Sequence, residues 1–251
     1  MSSSIAVEGV SKSFRIAHQK TIKKLAVDSV KGNRRTDEFI ALKDVSFTLE
    51  QGEAIALMGL NGSGKSTLLK LISGVMTPDR GQVLTRGRIA GLIEVGAGLH
   101  PDLSGRQNVF LNGAILGMSE REIKRKFDSI VEFSEVGKFL DTEVRHYSSG
   151  MFMRLAFATA VHTECDIFLI DEVLAVGDQP FRRKCMRRIK ELKAEGRTMV
   201  YVSHNPKQVV KLCNRGLVLR AGEMLYEGSA TGAVEALGYE LDDDNDEDTT
   251  D

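Results

Sequence analysis

The stretch GLNGSGKST, Gly59 to Thr67, fits the pattern G-x-x-x-x-G-K-[ST] and lies between an apolar run, EAIALM, and a helical one, LLKLIS. Glycines at those positions let backbone N–H groups turn inward around phosphate oxygens, and the start of the following helix adds about half a positive charge. Gly59, Asn61, Gly62, Ser63, Gly64 and Thr67 would cradle phosphates. Lys65 would reach the β- and γ-phosphates, and the Ser66 hydroxyl would ligate Mg2+. A triphosphate also needs a second metal ligand and a group to hold the attacking water. CDIFLIDE offers both at the end of an apolar run: Asp171 for Mg2+, and Glu172 beside it to polarise water. An acid at a strand end is often merely solvated. Downstream of a phosphate loop, the pair is a strong signal for nucleoside triphosphate chemistry.

These groups must be held by strands and helices that the pattern also predicts. Short β-branched runs alternate with helical patterns, which favours a parallel sheet flanked by helices. Val45, Phe47 and Leu49 alternate with polar neighbours, as on a half-buried strand, and EAIALMG reads as a central parallel strand. Ser119 to Glu122 (SERE) predicts a capping box opening a basic amphipathic helix to about Phe133. Met151 to His162 reads as a buried helix, DIFLIDE as another central strand, and Phe181 to Glu195 as a basic helix ended by Gly196. TMVYVSH is the next strand, and GLVLRAGEMLYEG two strands around an Ala-Gly turn. Residues 17–38, rich in Lys and Arg, read as an inserted surface loop or short helix before a strand at Leu42.

Composition narrows the class. The 251 residues suit one compact domain, and no apolar run reaches the length of a membrane span. The first residues lack the basic start and apolar stretch of a secretion signal, so the expected compartment is the cytoplasm. Cys165, Cys185 and Cys213 show neither C-x-x-C nor His-paired spacing, and are expected to be reduced and structural. Residues 240–251 (ELDDDNDEDTTD) hold eight acids and no base, which predicts a disordered tail; the remainder has 27 acids against 34 bases. That basic body suits anionic ligands or the inner face of a membrane. No aromatic-rich basic module marks a nucleic-acid binder.

The residues then carry a resemblance, over roughly residues 5 to 238, to the ATP-binding subunits of ABC transporters. Tyr147 to Met151, YSSGM, resembles the family signature LSGGQ: Ser148 and Gly150 are kept, while Tyr147, Ser149 and Met151 depart. The departure at Ser149 adds a side chain where backbone approaches phosphate. The resemblance implies that Asp178 is the acid of the D-loop, that His204 in VSHN contacts the γ-phosphate and helps place the water, and that adenine stacks on Phe14. It implies an α/β fold of the P-loop NTPase class, an ABC-type nucleotide-binding domain with a RecA-like core, an antiparallel β subdomain and an α-helical subdomain. The domain would span 1–238, with the helical lobe at about 100–160 and the tail at 239–251. Two copies would meet head to tail, the phosphate loop of one and Ser148, Ser149 and Gly150 of the other enclosing each ATP.

A nucleotide-binding domain without a span of its own must borrow one, which implies a separate six-helix permease. The insertion after Phe14, the stretch IEVGAGLHPDLSGRQNV and the continuation DEVLAVGD resemble the branch that exports lipid-linked polysaccharides and teichoic acids. The implied function is ATP-driven export of such a polymer, by a peripheral protein on the cytoplasmic face of the inner membrane. The alternative, a soluble ABC ATPase of translation or DNA repair, usually has two such domains in one chain or a long coiled-coil insertion, and neither is visible. Glu94, in GLIEVGAGLHP, stands where most of the family has a glutamine that touches Mg2+ and the attacking water. A carboxylate there can ligate Mg2+ but adds negative charge near the γ-phosphate, which Mg2+ and Lys65 must offset.

Overall fold

The computed structural model describes residues 3–16, 37–92, 98–171 and 177–239. Most of the basic insertion (17–36) and the acidic segment 240–251 lie outside the described residues.

Two kinds of strand follow from two kinds of pattern. Strand β1 (Ser3–Ile16) pairs antiparallel with β2 (Asp37–Glu50) on one side and β4 (Arg80–Thr85) on the other. Along β2, Val45, Phe47 and Leu49 are buried while Asp44, Ser46 and Thr48 are exposed, the alternation of a sheet with one wet face. Strand β2 begins at Asp37, earlier than the expected Leu42. Its first residues pair with β1 through the backbone, Ser13 opposite Ile40 and Phe14 opposite Phe39. Glu38, Phe39 and Ile40 are all exposed, so no buried side chain announces them in the sequence.

The second sheet runs β5-β6-β7-β3-β8-β9 and comprises β3 (Ala54–Met58), β5 (Ile89–Gly91), β6 (Ile167–Ile170), β7 (Thr198–Val202), β8 (Arg215–Arg220) and β9 (Glu223–Ser229). All its pairings are parallel except that of the edge strand β9 with β8. Every residue of β3, β6 and β7 is buried. Met58, Phe168, Ile170 and Tyr201 face one core, together with residues of helices α4 (Ser149–Val161), α5 (Gln179–Ala194), α6 (Pro206–Leu212) and α7 (Ala230–Ala236). Ile55, Leu57, Leu169 and Val200 face the other, with α1 (Lys65–Ile72) and the antiparallel sheet. Burying one such side chain is worth about 1.5–3 kcal/mol, so these strands leave no room for a charge until their ends.

Helices α2 (Gly105–Ile115), α3 (Glu120–Ser134) and α4 pack around a third core that includes Val109, Ile123, Ile130 and Leu155. The capping box expected at SERE forms only in part. Ser119 accepts from the Glu122 N–H, but the Glu122 carboxylate turns away to Arg88 Nη1 at 3.0 Å and to the Glu164 N–H at 3.2 Å. That buried acid ties the helical lobe to the strands through Arg88, whose own N–H binds Asp166 at 2.7 Å. The reciprocal box stands one helix earlier, at Ser104 and Gln107. Helix α5 starts at Gln179 rather than Phe181, because Asp178 caps it and Pro180 fits the first turn.

Among the described residues, no helix is long and apolar enough to cross a membrane. The three cysteines are free and buried, and burial pushes the Cys165 thiol up to about 11 and those of Cys185 and Cys213 to about 12. They stay protonated, without the thiolate that reactivity requires.

Two side chains fix the segments around the lobes. Asn108, fully buried, accepts from His100 N at 2.6 Å and donates to the carbonyls of His100, Leu103 and Ser104, each at 3.0 Å. Asn108→Ala strands several of these groups and is expected to lower the unfolding free energy by about 2–3 kcal/mol in denaturant titration. Asp79 accepts from Lys12 Nζ and from the Ser13 N–H, both at 2.7 Å, and these bonds lower its carboxyl to about 2. A carboxyl held below its ordinary value stabilises the fold above that value and loses the effect as pH falls through its own. Asp79→Asn is therefore expected to melt below the parent at neutral pH, with the gap closing between roughly pH 4 and 2.

Candidate functional site

Because β3, β6 and β7 run parallel, their C-terminal ends share one edge of the sheet. Met58 leads there into the phosphate loop, Ile170 into Asp171, and Val202 into Ser203 and His204. Such an edge, where buried strands give way to loops, is where an open α/β sheet binds its ligands.

A cavity of about 200 Å3 opens at this edge, walled by Asn61 through Thr67, by Phe39 and Ala41 of β2, and by Asp171. The phosphate loop and the first acid of IDE, distant in sequence, thus face one space. Lys65 Nζ donates to the carbonyls of Gly59 at 2.8 Å and Leu60 at 3.0 Å, folding across the loop. Helix α1 begins with no acid in its first turn and no side-chain cap, so its leading N–H groups and their partial positive charge face the loop. Gly64 has φ +107°, and a Cβ there would lie 2.5 Å from the Ala41 carbonyl oxygen. The loop is thus pressed against β2. The far turn also braces it: the Gly222 N–H, between β8 and β9, donates to the Ser63 carbonyl at 3.1 Å, and the Gly222 carbonyl accepts from Lys43 N at 2.9 Å.

The donor set fits a magnesium-bound phosphate chain. Among the described residues the Ser63 hydroxyl oxygen is buried without a hydrogen-bond partner, within a concave run of backbone, and Lys65, Ser66 and Asp171 line the same space. Hydroxyl and carboxylate oxygens are the ligands Mg2+ prefers, alongside phosphate.

The other expected residues are placed more widely. Glu94 and Glu172 lie outside the described residues. His204 is exposed in the turn after β7, at the same sheet edge as the cavity but not in its wall. Phe14 is 37% exposed on β1 and does not line the cavity, whereas its cross-strand neighbour Phe39, 47% exposed, does. Phe39 was missed because the strand that carries it has no alternating pattern at that point.

The YSSGM segment splits by direction. Tyr147 and Met151 pack against the helical-lobe core, and the Tyr147 hydroxyl donates to the Phe139 carbonyl at 2.7 Å. Ser148 and Ser149 are exposed at the start of α4, where the Ser148 hydroxyl caps the helix by accepting from Met151 N at 3.2 Å. A Cβ at Gly150 would meet only Ser148 Oγ at 3.8 Å, ordinary contact, so nothing among the described residues requires glycine there. Asp178 caps α5 through Phe181 N at 3.3 Å and pairs with Arg154 Nη2 at 2.7 Å. Arg154 leaves α4, also binds Glu135 at the end of α3, and stacks 4.6 Å from the centre of the Phe181 ring. One guanidinium therefore joins the segment bearing Ser148 to the residue capping α5.

Comparison with known proteins places these features. The family described as ABC transporter matches residues 42–175, just over half of the chain. The O-antigen export system ATP-binding protein RfbB of Klebsiella pneumoniae is 44% identical over 212 residues, covering 84% of this chain and 85% of the relative. The teichoic acids export ATP-binding protein TagH of Listeria innocua is 41% identical, covering 90% of this chain and 67% of the relative. A dimeric ATP-binding cassette in a post-hydrolysis state, bound to ADP and phosphate, superposes with a TM-score of 0.72 at 23% identity, covering 90% of this chain and 98% of that one.

Steric differences between the loop glycines generate an expectation. A Cβ at Gly62 would meet nothing within 4 Å, while Gly64 has no such room. Gly62→Ala should then cost about 1–2 kcal/mol, the strain of a left-handed residue alone. Gly64→Ala should cost about 2–4 kcal/mol, since β2 must also shift. Parallel urea titrations of the two variants test the order.

Proposed function

The chain belongs to the ABC transporter family, and from that premise we propose that it is the ATP-hydrolysing subunit of an exporter of lipid-linked polysaccharide, a polymer of the O-antigen, galactan or teichoic-acid kind. The observation that carries the reading is the convergence of the phosphate loop and Asp171 on one cavity, in a chain whose relatives are named as export ATP-binding proteins. The alternative of a soluble ABC ATPase in translation or DNA repair draws no support from those names.

Backbone N–H groups from Gly59 to Thr67 hold the phosphates, and Lys65 exchanges loop carbonyls for phosphate oxygens. Ser66 and Asp171 hold Mg2+, with Glu94 as a further ligand. Bound Mg2+ neutralises the charge that develops on the phosphate oxygens. Glu172 orients and polarises the attacking water, and His204 contacts the γ-phosphate. Ser148, Ser149 and Gly150 meet the nucleotide of a second copy, packed head to tail around a two-fold axis, while Asp178 lines the contact between copies. The open space around Gly150 favours this reading, because a glycine not needed by its own chain suits a surface that another backbone or a phosphate approaches closely. The six-helix permease moves the glycan, and the subunit works at the cytoplasmic face of the membrane. Glu94 and the segment HPDLSGRQN, held by Asn108, carry the nucleotide state towards it.

Removing a positioned acid or base typically lowers a rate by 10² to 10⁴. Glu172→Gln is expected to keep ATP binding, to lose turnover by about that factor and to accumulate as a closed dimer, measured by phosphate release and size exclusion with ATP and Mg2+. Normal turnover in that variant removes Glu172 from its role. The export reading is checked in cells, where loss of the protein should leave lipid-linked glycan on the cytoplasmic face and affinity purification should recover a polytopic membrane partner. Recovery of ribosomes or DNA instead would replace it with the soluble alternative.

A further inference from the structure

Helix α5 carries cations of two kinds. Lys184 pairs with Glu135 at the end of α3, and Arg188 with Glu191 and Glu195, each at 3.0 Å. Arg182, Arg183, Arg187 and Lys190 are exposed, and among the described residues none of the four enters an ion pair. The spacings from Arg183 to Arg187 and from Arg187 to Lys190 set those three on one face, with Arg182 at its margin. Like charges at these spacings repel along about 10 Å of helix, so leaving the face bare is unfavourable. We propose that this face is the docking surface for the chain's own acidic segment, residues 240–251, which lies across it and balances its charge.

Direction, reach and charge agree on that occupant. Lys184 looks towards the helical lobe through Glu135, and the bare face is turned away from that side. Lys193, which borders the bare face, lies close enough to the Cys213 thiol, just after α6, for its charge to act on it. Helices α5, α6 and α7 pack on one core over β6 to β9, and α6 touches α7. Packed helices sit about 8–10 Å apart, so α7 stands roughly 20 Å from α5, with α6 between them. The chain leaves α7 through Gly238, whose N–H closes the helix on the Glu235 carbonyl at 2.8 Å, and then Tyr239. Residues 240–251 span at most about 40 Å when extended, enough to cross α6 and lie along the stretch from Arg183 to Lys190. At about 3.3 Å per residue, Asp246, Glu247 and Asp248 fall at α5, while Asp242 to Asp244 pass over α6, where Lys207 is also exposed. Each exposed ion pair is weak, but tethering supplies an effective concentration in the millimolar range. Several pairs together then hold a segment that a free peptide of the same sequence would not match.

Carbodiimide coupling, which joins a carboxylate to an amine with loss of water and no spacer, tests this in the full chain without nucleotide. Lys190 should couple to acids of 240–251, read by mass spectrometry, with a yield that is unchanged on dilution. The yield should be lost near 1 M salt, where charges are screened beyond about 3 Å. Arg183→Gln combined with Arg187→Gln should lower it severalfold while leaving the melting temperature as in the parent, since both side chains are exposed and unpaired. Coupling confined to other lysines overturns the proposal, as does a Lys190 yield that survives salt or the arginine changes. A yield that falls on dilution gives the face to a second copy and overturns it too. Phosphatidylglycerol vesicles test the remaining occupant. A chain with Asp242, Asp243, Asp244, Asp246 and Asp248 all changed to Asn should bind them about tenfold more tightly than the parent, the gain vanishing when Arg183→Gln and Arg187→Gln are added. Equal binding by that chain and the parent means that the segment covers nothing there, and the proposal falls.

Discussion

Burial of the parallel sheet on both faces governs the rest of the molecule. Central strands enclosed by two cores can carry no charge along their length, so every charged group they bring must sit at an end. Parallel pairing then gathers those ends on one edge. Met58, Ile170 and Val202 are the last apolar residues before a phosphate loop, an acid and an imidazole respectively. The opposite edge has its own polar groups, Arg88 and Asp166 among them, but the phosphate loop, the acid and the imidazole gather at this one.

The helical lobe is attached to the sheet by apolar contact as well as by charge, since Phe157, Ala160 and Val161 of α4 lie in the sheet's first core and Phe133 of α3 packs against it. Arg88 and Glu122 join α3 to the strands, and Arg154 joins α4 to the start of α5. Ion pairs with fixed geometry add orientation to that apolar contact.

Much of this was legible in the sequence, and the parts that were not share a cause. The phosphate loop, the central strands and the α4 and α5 helices announce themselves because each couples a strict pattern to burial. The start of β2 does not, since Glu38 to Ile40 pair through backbone alone and leave no alternation to read. Phe39 was lost with that strand. The SERE box was read as a closed local device, but Glu122 found a stronger partner in Arg88, a charge brought close only by the fold. The irregular residues of YSSGM have a plain reason in packing. Tyr147 and Met151 face the lobe's own core, so two of the three differences from LSGGQ fall on side chains turned away from the exposed serines.

The brace between Gly222 and the phosphate loop bears on how the protein is made. Strand β3 lies between β7 and β8, and the turn after β8 touches Ser63, so a loop near residue 60 takes its final contacts from a hairpin near residue 220. On the ribosome residues 54–58 emerge first, and that apolar strand waits for its partners until residues 198–220 have been translated. The cradle is therefore completed only once the hairpin of β8 and β9 has been made. A chain released early would carry the whole GLNGSGKST sequence while lacking the neighbours that give it a shape.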